Sequence, residues 1–91
     1  MIYFIKNGTT GHIKMGFSDD PRKYLQELQA GSADTLELIK TIEGDAAAED
    51  ALHQQFAQCQ VDGKWFKPVE ELLKFIVMST LFHKKPTDMS S

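Results

Sequence analysis

The chain contains a single cysteine, Cys59, and lacks any long uninterrupted apolar run. One cysteine excludes an internal disulfide bond and is typical of a protein kept in a reducing compartment. The longest apolar stretch, residues 72–82, is interrupted by polar residues and is shorter than the roughly 20 residues of a membrane-spanning helix. The sequence does not open with a basic segment followed by an apolar run, as a signal peptide would. These absences predict a cytoplasmic protein that makes no membrane contact.

An excess of positive charge is also absent, because the formal net charge of the 91 residues is -3. Proteins that bind nucleic acids usually carry a basic face that neutralises phosphates. The overall balance therefore argues against tight binding to a duplex. A local basic patch is still compatible with the sequence, since two small groups of cations occur close together, namely Lys14, Arg22 and Lys23, and then Lys64 and Lys67.

The length allows one domain with one modest core. We assign residues 1–82 to this domain. Residues 83–91 contain a proline and mostly polar side chains, so they are predicted to form a flexible C-terminal tail.

Two runs of β-branched and aromatic residues near the start predict a β-hairpin. The runs are residues 1–6 and 12–17, and the turn-forming segment 7–11 lies between them. A helix is expected next, because Asp20 and Pro21 suit an N-cap and a first helical position. Gly31 is a natural end for this helix.

The second half of the chain predicts one more strand and two more helices. Apolar and polar residues alternate in 35–42, which indicates a strand. Asp45 then caps a helix, the segment 64–66 forms an edge strand or a link, and Pro68 begins a last helix that ends near residue 82. The predicted fold class is α+β, with a small three-stranded, mainly antiparallel sheet flanked by helices in the order strand-strand-helix-strand-helix-helix.

Five short blocks occur along the chain in the order MIYFIK, GHIKMGFSDDP, LQELQAG, EDALHQQF and GKWF. Together they resemble the GIY-YIG nuclease superfamily, in particular its small stand-alone, T5orf172-like branch, whose second signature reads K-[IVM]-G. The resemblance extends to about Ile76 and implies a GIY-YIG-like fold. It also implies an endonuclease that hydrolyses nucleic-acid phosphodiester bonds with one divalent cation, Mg²⁺ or Mn²⁺. The expected ligand is DNA rather than RNA, or a nucleotide.

The hairpin carries the first part of the implied site. Tyr3 matches the tyrosine of the first family signature and Gly16 the glycine of the second, while Lys14 stands where many relatives have tyrosine. Strand alternation puts Lys14 and Gly16 on one face of their strand. The phenol of Tyr3, the ammonium group of Lys14 and the space left by Gly16 could together form a phosphate-binding site. The alternative interpretation is a half-buried aromatic residue beside a solvated lysine.

The second predicted helix carries the implied metal ligand. The segment EDALHQQF resembles the family's E-x-x-L-H-x-x-F, in which the glutamate, here Glu49, is the sole protein ligand of the metal ion. One carboxylate completed by water and substrate oxygens is normal for Mg²⁺. Helical spacing puts His53 on the same side as Glu49, where it could orient a water or meet a phosphate. The alternative to a metal site is that Glu49 is an exposed helix carboxylate and that His53 is a helix histidine capped by neighbouring residues.

The chain departs from the family where relatives carry an arginine, eight residues after the signature glycine. Tyr24 holds that position. Arg22 is two residues away, which on a helix turns its side chain through about 200 degrees, so it is expected to point away from the site. Loss of one preorganised charge typically lowers a rate by a factor on the order of 10²–10³. A slow nuclease and a catalytically inactive descendant both remain open.

In the mechanism that the resemblance implies, Tyr3 positions or deprotonates the attacking water. The candidate residues fall into three groups. The catalytic candidates are Tyr3, Lys14, Arg22, Tyr24 and His53; the substrate-binding candidates are Gly16, Lys23 and Lys64; and the metal ligand is Glu49. The alternative function is a catalytically inactive module that binds a nucleic acid, a nucleotide or a protein partner on the same fold. The broad apolar side of the last helix predicts a possible homodimer contact.

Overall fold

A five-stranded sheet forms the centre of the molecule. The computed structural model describes residues 1–89, with side-chain environments as far as Ser79. Strands β1 (Ile2–Asn7) and β2 (Ile13–Phe17) pair antiparallel as the predicted hairpin, and β3 (Leu36–Ile42) pairs antiparallel with β1. Two short strands, β4 (Gln60–Asp62) and β5 (Trp65–Phe66), extend the other edge in the order β3-β1-β2-β5-β4.

The α+β class is confirmed, but the prediction of three strands is corrected to five. The reason is a second hairpin at Gly63, whose φ of 55° lies in the left-handed region that glycine adopts easily. This turn brings Trp65 opposite Lys14 and Phe66 opposite Ile13. The sequence left open an edge strand or a link for the segment 64–66, and both alternatives are corrected: Trp65 and Phe66 form an inner strand that pairs with β2 on one side and β4 on the other.

Three helices cover the sheet. Helix α1 (Pro21–Ala30) begins as predicted, with the Lys23 main-chain N–H donating to Asp20 Oδ1 at 3.2 Å. Helix α2 (Ala46–Gln55) begins in the same way, with the Ala48 N–H donating to Asp45 Oδ1 at 3.0 Å. Each cap satisfies a main-chain donor that has no partner within the helix. Between α2 and β4 the chain makes one short 3₁₀ turn.

Helix α3 (Glu70–Met89) is longer than the sequence indicated. The predicted end near residue 82 is corrected to Met89, since the helix continues past Pro86, which removes one main-chain donor without ending the helix. Most of the segment 83–91 is thus helical main chain. Ser90 and Ser91 lie outside the described residues, and the flexibility of the tail stays a prediction.

The sheet separates two apolar clusters, because successive side chains of a strand point to opposite faces. On one face, Ile2 and Phe4 pack with residues of α2 and α3; on the other, Tyr3 and Ile5 pack with residues of α1. The sheet therefore lies between α1 on one face and α2 and α3 on the other. Over residues 1–89, every helix falls short of the combined length and apolarity that a bilayer crossing requires.

The exposed side of α3 carries apolar residues, as the sequence indicated. Leu73, Val77 and Met78 are all exposed large hydrophobic side chains of this helix. A homodimer through α3 stays a prediction.

Asn7 ties the hairpin loop to the segment that precedes β3. Its Oδ1 accepts from the main-chain N–H groups of Thr9 and Thr10 at 2.8 and 3.1 Å, and its Nδ2 donates to Asp34 Oδ2 at 2.9 Å. We expect Asn7→Ala to lower the free energy of unfolding by about 2 kcal/mol, because it leaves partly buried polar groups without partners. Urea unfolding measures this change. Asp34→Asn keeps an acceptor and should lose less; equal losses in both variants would contradict this assignment.

Candidate active site

The Tyr3 side chain lies across Gly16. The two residues are opposite each other in the β1–β2 register, and Tyr3 is only 1% exposed. A Cβ atom at position 16 would lie 2.5 Å from Cζ of Tyr3, closer than side chains tolerate. The space that the sequence assigned to an approaching phosphate is therefore filled by the Tyr3 phenol. Gly16 is needed here so that this ring can lie flat on β2.

Tyr24 of α1 packs against Tyr3. The two ring centroids are 4.9 Å apart, with a tilt of 31°. Burial raises the pKa of Tyr3 far above the ordinary tyrosine value, and the interaction with the neighbouring Tyr24 hydroxyl and the charge of Glu49 raise it further. Tyr3 therefore stays protonated and is a poor general base. Tyr24 is half-buried and lines a surface groove.

Glu49 reaches the same region from α2. Its side chain is 13% exposed, and its carboxylate acts electrostatically on the Tyr3 hydroxyl. The Lys64 ammonium group, from the turn between β4 and β5, lies 2.9 Å from Glu49 Oε2. The charge of this carboxylate therefore acts on the phenol from the first strand. That the two groups form one site, as the resemblance implied, stays a prediction.

His53 holds α2 against the sheet. Its Nε2 is 2.8 Å from the main-chain oxygen of Met15 and 3.9 Å from Glu49 Oε2. Because a carbonyl oxygen only accepts, Nε2 carries the proton in this contact. The imidazole ring also packs on Phe66, with 5.2 Å between centroids. His53 is thus a positioning residue for the helix that carries Glu49.

The remaining predicted cations are distributed around the site. Lys14 Nζ lies over the Trp65 ring, 5.3 Å from its centroid, on the sheet face that carries Tyr3. Lys23 is exposed and lines the same surface groove as Tyr24. Arg22 is exposed near Leu38 of β3, at the opposite edge of the sheet from Lys64. The helical periodicity had predicted this direction for Arg22, and the structure does not bring it to the site.

Sequence analysis missed the role of the Met15 main chain. Its carbonyl accepts from His53, and its N–H donates to the carbonyl oxygen of Lys64 at 3.0 Å. One residue of β2 thereby fixes both the helix of Glu49 and the turn of Lys64. No signal in the side chain of residue 15 indicates this role, because both contacts involve main-chain atoms only.

The buried thiol of Cys59 does not supply the site with a nucleophile. The Sγ of Cys59 donates to the main-chain oxygen of Phe56 at 3.2 Å, and burial raises the pKa of the thiol. A thiol that is kept protonated is unreactive. Cys59 belongs to the apolar core.

The donor set fits a weakly held Mg²⁺ or Mn²⁺ ion. Among the described residues, no group of three or more His, Cys, Asp or Glu side chains is arranged to hold a metal. Mg²⁺ does not need such a group, because it commonly binds one or two carboxylates and keeps several waters. Glu49 supplies one such carboxylate, but the Lys64 ammonium group already contacts its Oε2.

Comparison with known proteins supports the resemblance. The family model of the T5orf172 domain matches residues 1–79, which include all strands, α1, α2 and the first half of α3. No curated protein and no solved structure matches the chain. The matched segment contains Tyr3, Gly16 and Glu49. The chain therefore belongs to the T5orf172 domain family, which is related to the GIY-YIG-like nucleases.

Proposed function

We propose that this chain is a slow, divalent-metal-dependent endonuclease-like domain that hydrolyses phosphodiester bonds of nucleic acids, DNA in preference to RNA. One observation supports the proposal: the charge of Glu49 acts on the Tyr3 hydroxyl and raises the pKa of Tyr3, although the two residues come from elements far apart in sequence. The relation of the family to GIY-YIG-like nucleases supports it. The triplet Lys14-Met15-Gly16 supports membership in the small branch with a K-[IVM]-G signature.

Each residue of the proposed site has a distinct task. Glu49 would hold Mg²⁺ or Mn²⁺, and the ion when bound supplies Lewis-acid polarisation of a phosphoryl oxygen. Tyr3 orients the hydroxyl of Tyr24, which is available in the groove to hydrogen-bond a phosphate oxygen or a water. Lys14, Lys23 and Lys64 are at least partly exposed and offer positive charge to the phosphodiester.

A low rate follows from the electrostatics of the site. A hydroxyl at Tyr24 carries no charge, whereas an arginine at this position would stabilise the negative charge that develops on the phosphoryl group. The groove beside Tyr24 also contains the carboxylates of Asp19, Asp20 and Glu27, which repel a phosphate. Both features favour slow turnover.

The second candidate function is a nucleic-acid- or nucleotide-binding module without turnover. The contact between Lys64 and Glu49 favours it, since this ammonium group neutralises the carboxylate that would hold the metal ion. The two candidates differ in one respect that can be measured, which is whether a phosphodiester bond is broken.

The proposal is tested by incubating the full chain with DNA and RNA substrates in the presence of Mn²⁺. We expect slow cleavage, and we expect Glu49→Gln to reduce it by about 10²-fold, because metal polarisation of a phosphoryl oxygen contributes several kcal/mol. Asp50→Asn is the matched control, because it removes a neighbouring exposed carboxylate of the same helix. Equal rates for wild type and Glu49→Gln would contradict the proposed site. Binding without cleavage would favour the second candidate.

A further inference from the structure

The ion pair between Lys64 and Glu49 is the feature of the site that the proposed chemistry does not use. Its two atoms, Lys64 Nζ and Glu49 Oε2, are 2.9 Å apart, which is the distance of a charge-assisted hydrogen bond. The exposed fractions differ, since the Glu49 side chain is 13% exposed and the Lys64 side chain 46%. The carboxylate is therefore largely enclosed, and the ammonium group covers it from the solvent side.

The main chain holds both partners of this pair in place. The Met15 N–H donates to the Lys64 carbonyl oxygen at 3.0 Å, and the Met15 carbonyl oxygen lies 2.8 Å from His53 Nε2. His53 is one turn after Glu49 on α2. The contact is thus not an encounter of two freely mobile side chains, because Met15 anchors the segments that carry them. Of the two side chains, that of Lys64 is the more exposed, at 46% against 13% for Glu49.

We infer that Lys64 is an internal competitor for the divalent cation, and that a phosphodiester releases this competition by attracting the Lys64 ammonium group. The inference rests on the proposed function, because it takes Glu49 as the metal ligand. The Lys64 ammonium group and a divalent cation cannot both contact Glu49 Oε2 closely, since like charges repel strongly at that separation. In the absence of phosphate, Lys64 therefore weakens the binding of metal ions at Glu49.

The chemistry of lysine suits this exchange. Lysine carries a compact charge with three donors on a flexible four-carbon stem, so it can turn from one oxyanion to another at little cost. A phosphodiester oxygen that enters the site offers such an oxyanion. When Lys64 turns to it, Glu49 becomes available to a cation. Metal ion and nucleic acid are then expected to raise each other's affinity by the same factor, as thermodynamic linkage requires.

The experiment measures Mn²⁺ binding to the full chain by calorimetry and uses no catalytic readout. The variants are Lys64→Gln, Glu49→Gln and the double variant Glu49→Gln/Lys64→Gln, each compared with wild type. Lys67→Gln is a control that removes an exposed cation three residues away. We expect Lys64→Gln to bind Mn²⁺ about tenfold more tightly than wild type, because a positive charge a few Å from the cation is removed. We expect Lys67→Gln to behave as wild type and the double variant to lose the gain.

A second measurement tests the coupling to phosphate. Fluorescence anisotropy of a labelled short DNA duplex gives the affinity of each variant for DNA with and without Mn²⁺. Mn²⁺ should raise the affinity of wild type by a larger factor than that of Lys64→Gln.

The outcomes separate this inference from the proposed function. If Lys64→Gln binds Mn²⁺ no more tightly than wild type while Glu49→Gln abolishes binding, the competition is refuted and the metal site stands. If the double variant retains the tighter binding of Lys64→Gln, Glu49 is not the ligand, and both the inference and the proposed metal site fail.

Discussion

Replacing Gly16 with alanine is expected to lower the free energy of unfolding by about 3 kcal/mol, at the upper end of the penalty for overpacking. The added Cβ would lie 2.5 Å from Cζ and 2.9 Å from Cε2 of Tyr3. The Tyr3 ring cannot move aside, because it is buried between β2 and Tyr24. Since the total stability of a domain is about 5–15 kcal/mol, much of the fold stability would be lost. Urea or thermal unfolding measures the change.

Two further variants distinguish a ring clash from a general intolerance of side chains at β2. In a Tyr3→Leu background the same Gly16→Ala change should lose much less stability, because the ring that meets the new Cβ is gone. Gly31→Ala is the matched control, since a Cβ there would meet only the main-chain oxygen of Leu28 at an ordinary 3.9 Å. An equal penalty in the wild-type and Tyr3→Leu backgrounds would show that Tyr3 is not the cause.

Replacing Tyr24 with arginine is expected to raise the rate of metal-dependent cleavage by a factor on the order of 10²–10³, the contribution of one preorganised charge. Tyr24 packs on Tyr3 and lines the groove, so a guanidinium group at this position would lie close to the site. It would also favour the ionised form of Tyr3, which burial now strongly disfavours. We therefore expect the pKa of Tyr3 to fall in this variant.

The pKa of Tyr3 can be measured cleanly, because the chain has only two tyrosines. In Tyr24→Arg and Tyr24→Phe, Tyr3 is the sole tyrosine, and ultraviolet absorbance reports its ionisation alone. The pKa should be lower in Tyr24→Arg than in Tyr24→Phe. Gln26→Arg is the rate control, because it adds the same group at an exposed position of α1. Equal rates in Tyr24→Arg and Gln26→Arg would mean that the missing arginine does not limit the reaction.

The local features of the fold were predictable because their causes lie within a few residues. Asp20 and Asp45 cap their helices through N–H groups three residues ahead, so the sequence alone indicates both helix starts. The hairpin follows from a turn-forming segment between two β-forming runs. Likewise, the direction of Arg22 follows from the helical period, and the structure agrees.

The long-range contacts of the site could not be predicted in the same way. Strand β5 has two residues, and it is a strand only because β2 offers unpaired main-chain groups beside it. The stacking of Tyr3 on Gly16 depends on the register between β1 and β2. The sequence assigned both residues to the site, but it assigned the space above Gly16 to a phosphate rather than to the Tyr3 ring. Strand alternation predicts which residues share a face of the sheet, but not which group fills the space that a glycine leaves.

The sequence by itself determined the α+β class, the starts of α1 and α2, the family and the presence of a tyrosine, a glycine and a glutamate with family spacing. The last helix begins at Glu70 rather than at the predicted Pro68. Only the tertiary structure decided that Lys64 contacts Glu49 and that Met15 anchors both of their segments. The physical reason is that Glu49 and Lys64 belong to separate elements, and their distance depends on how α2 and the β4–β5 turn pack on β2. No periodicity within one element encodes that distance.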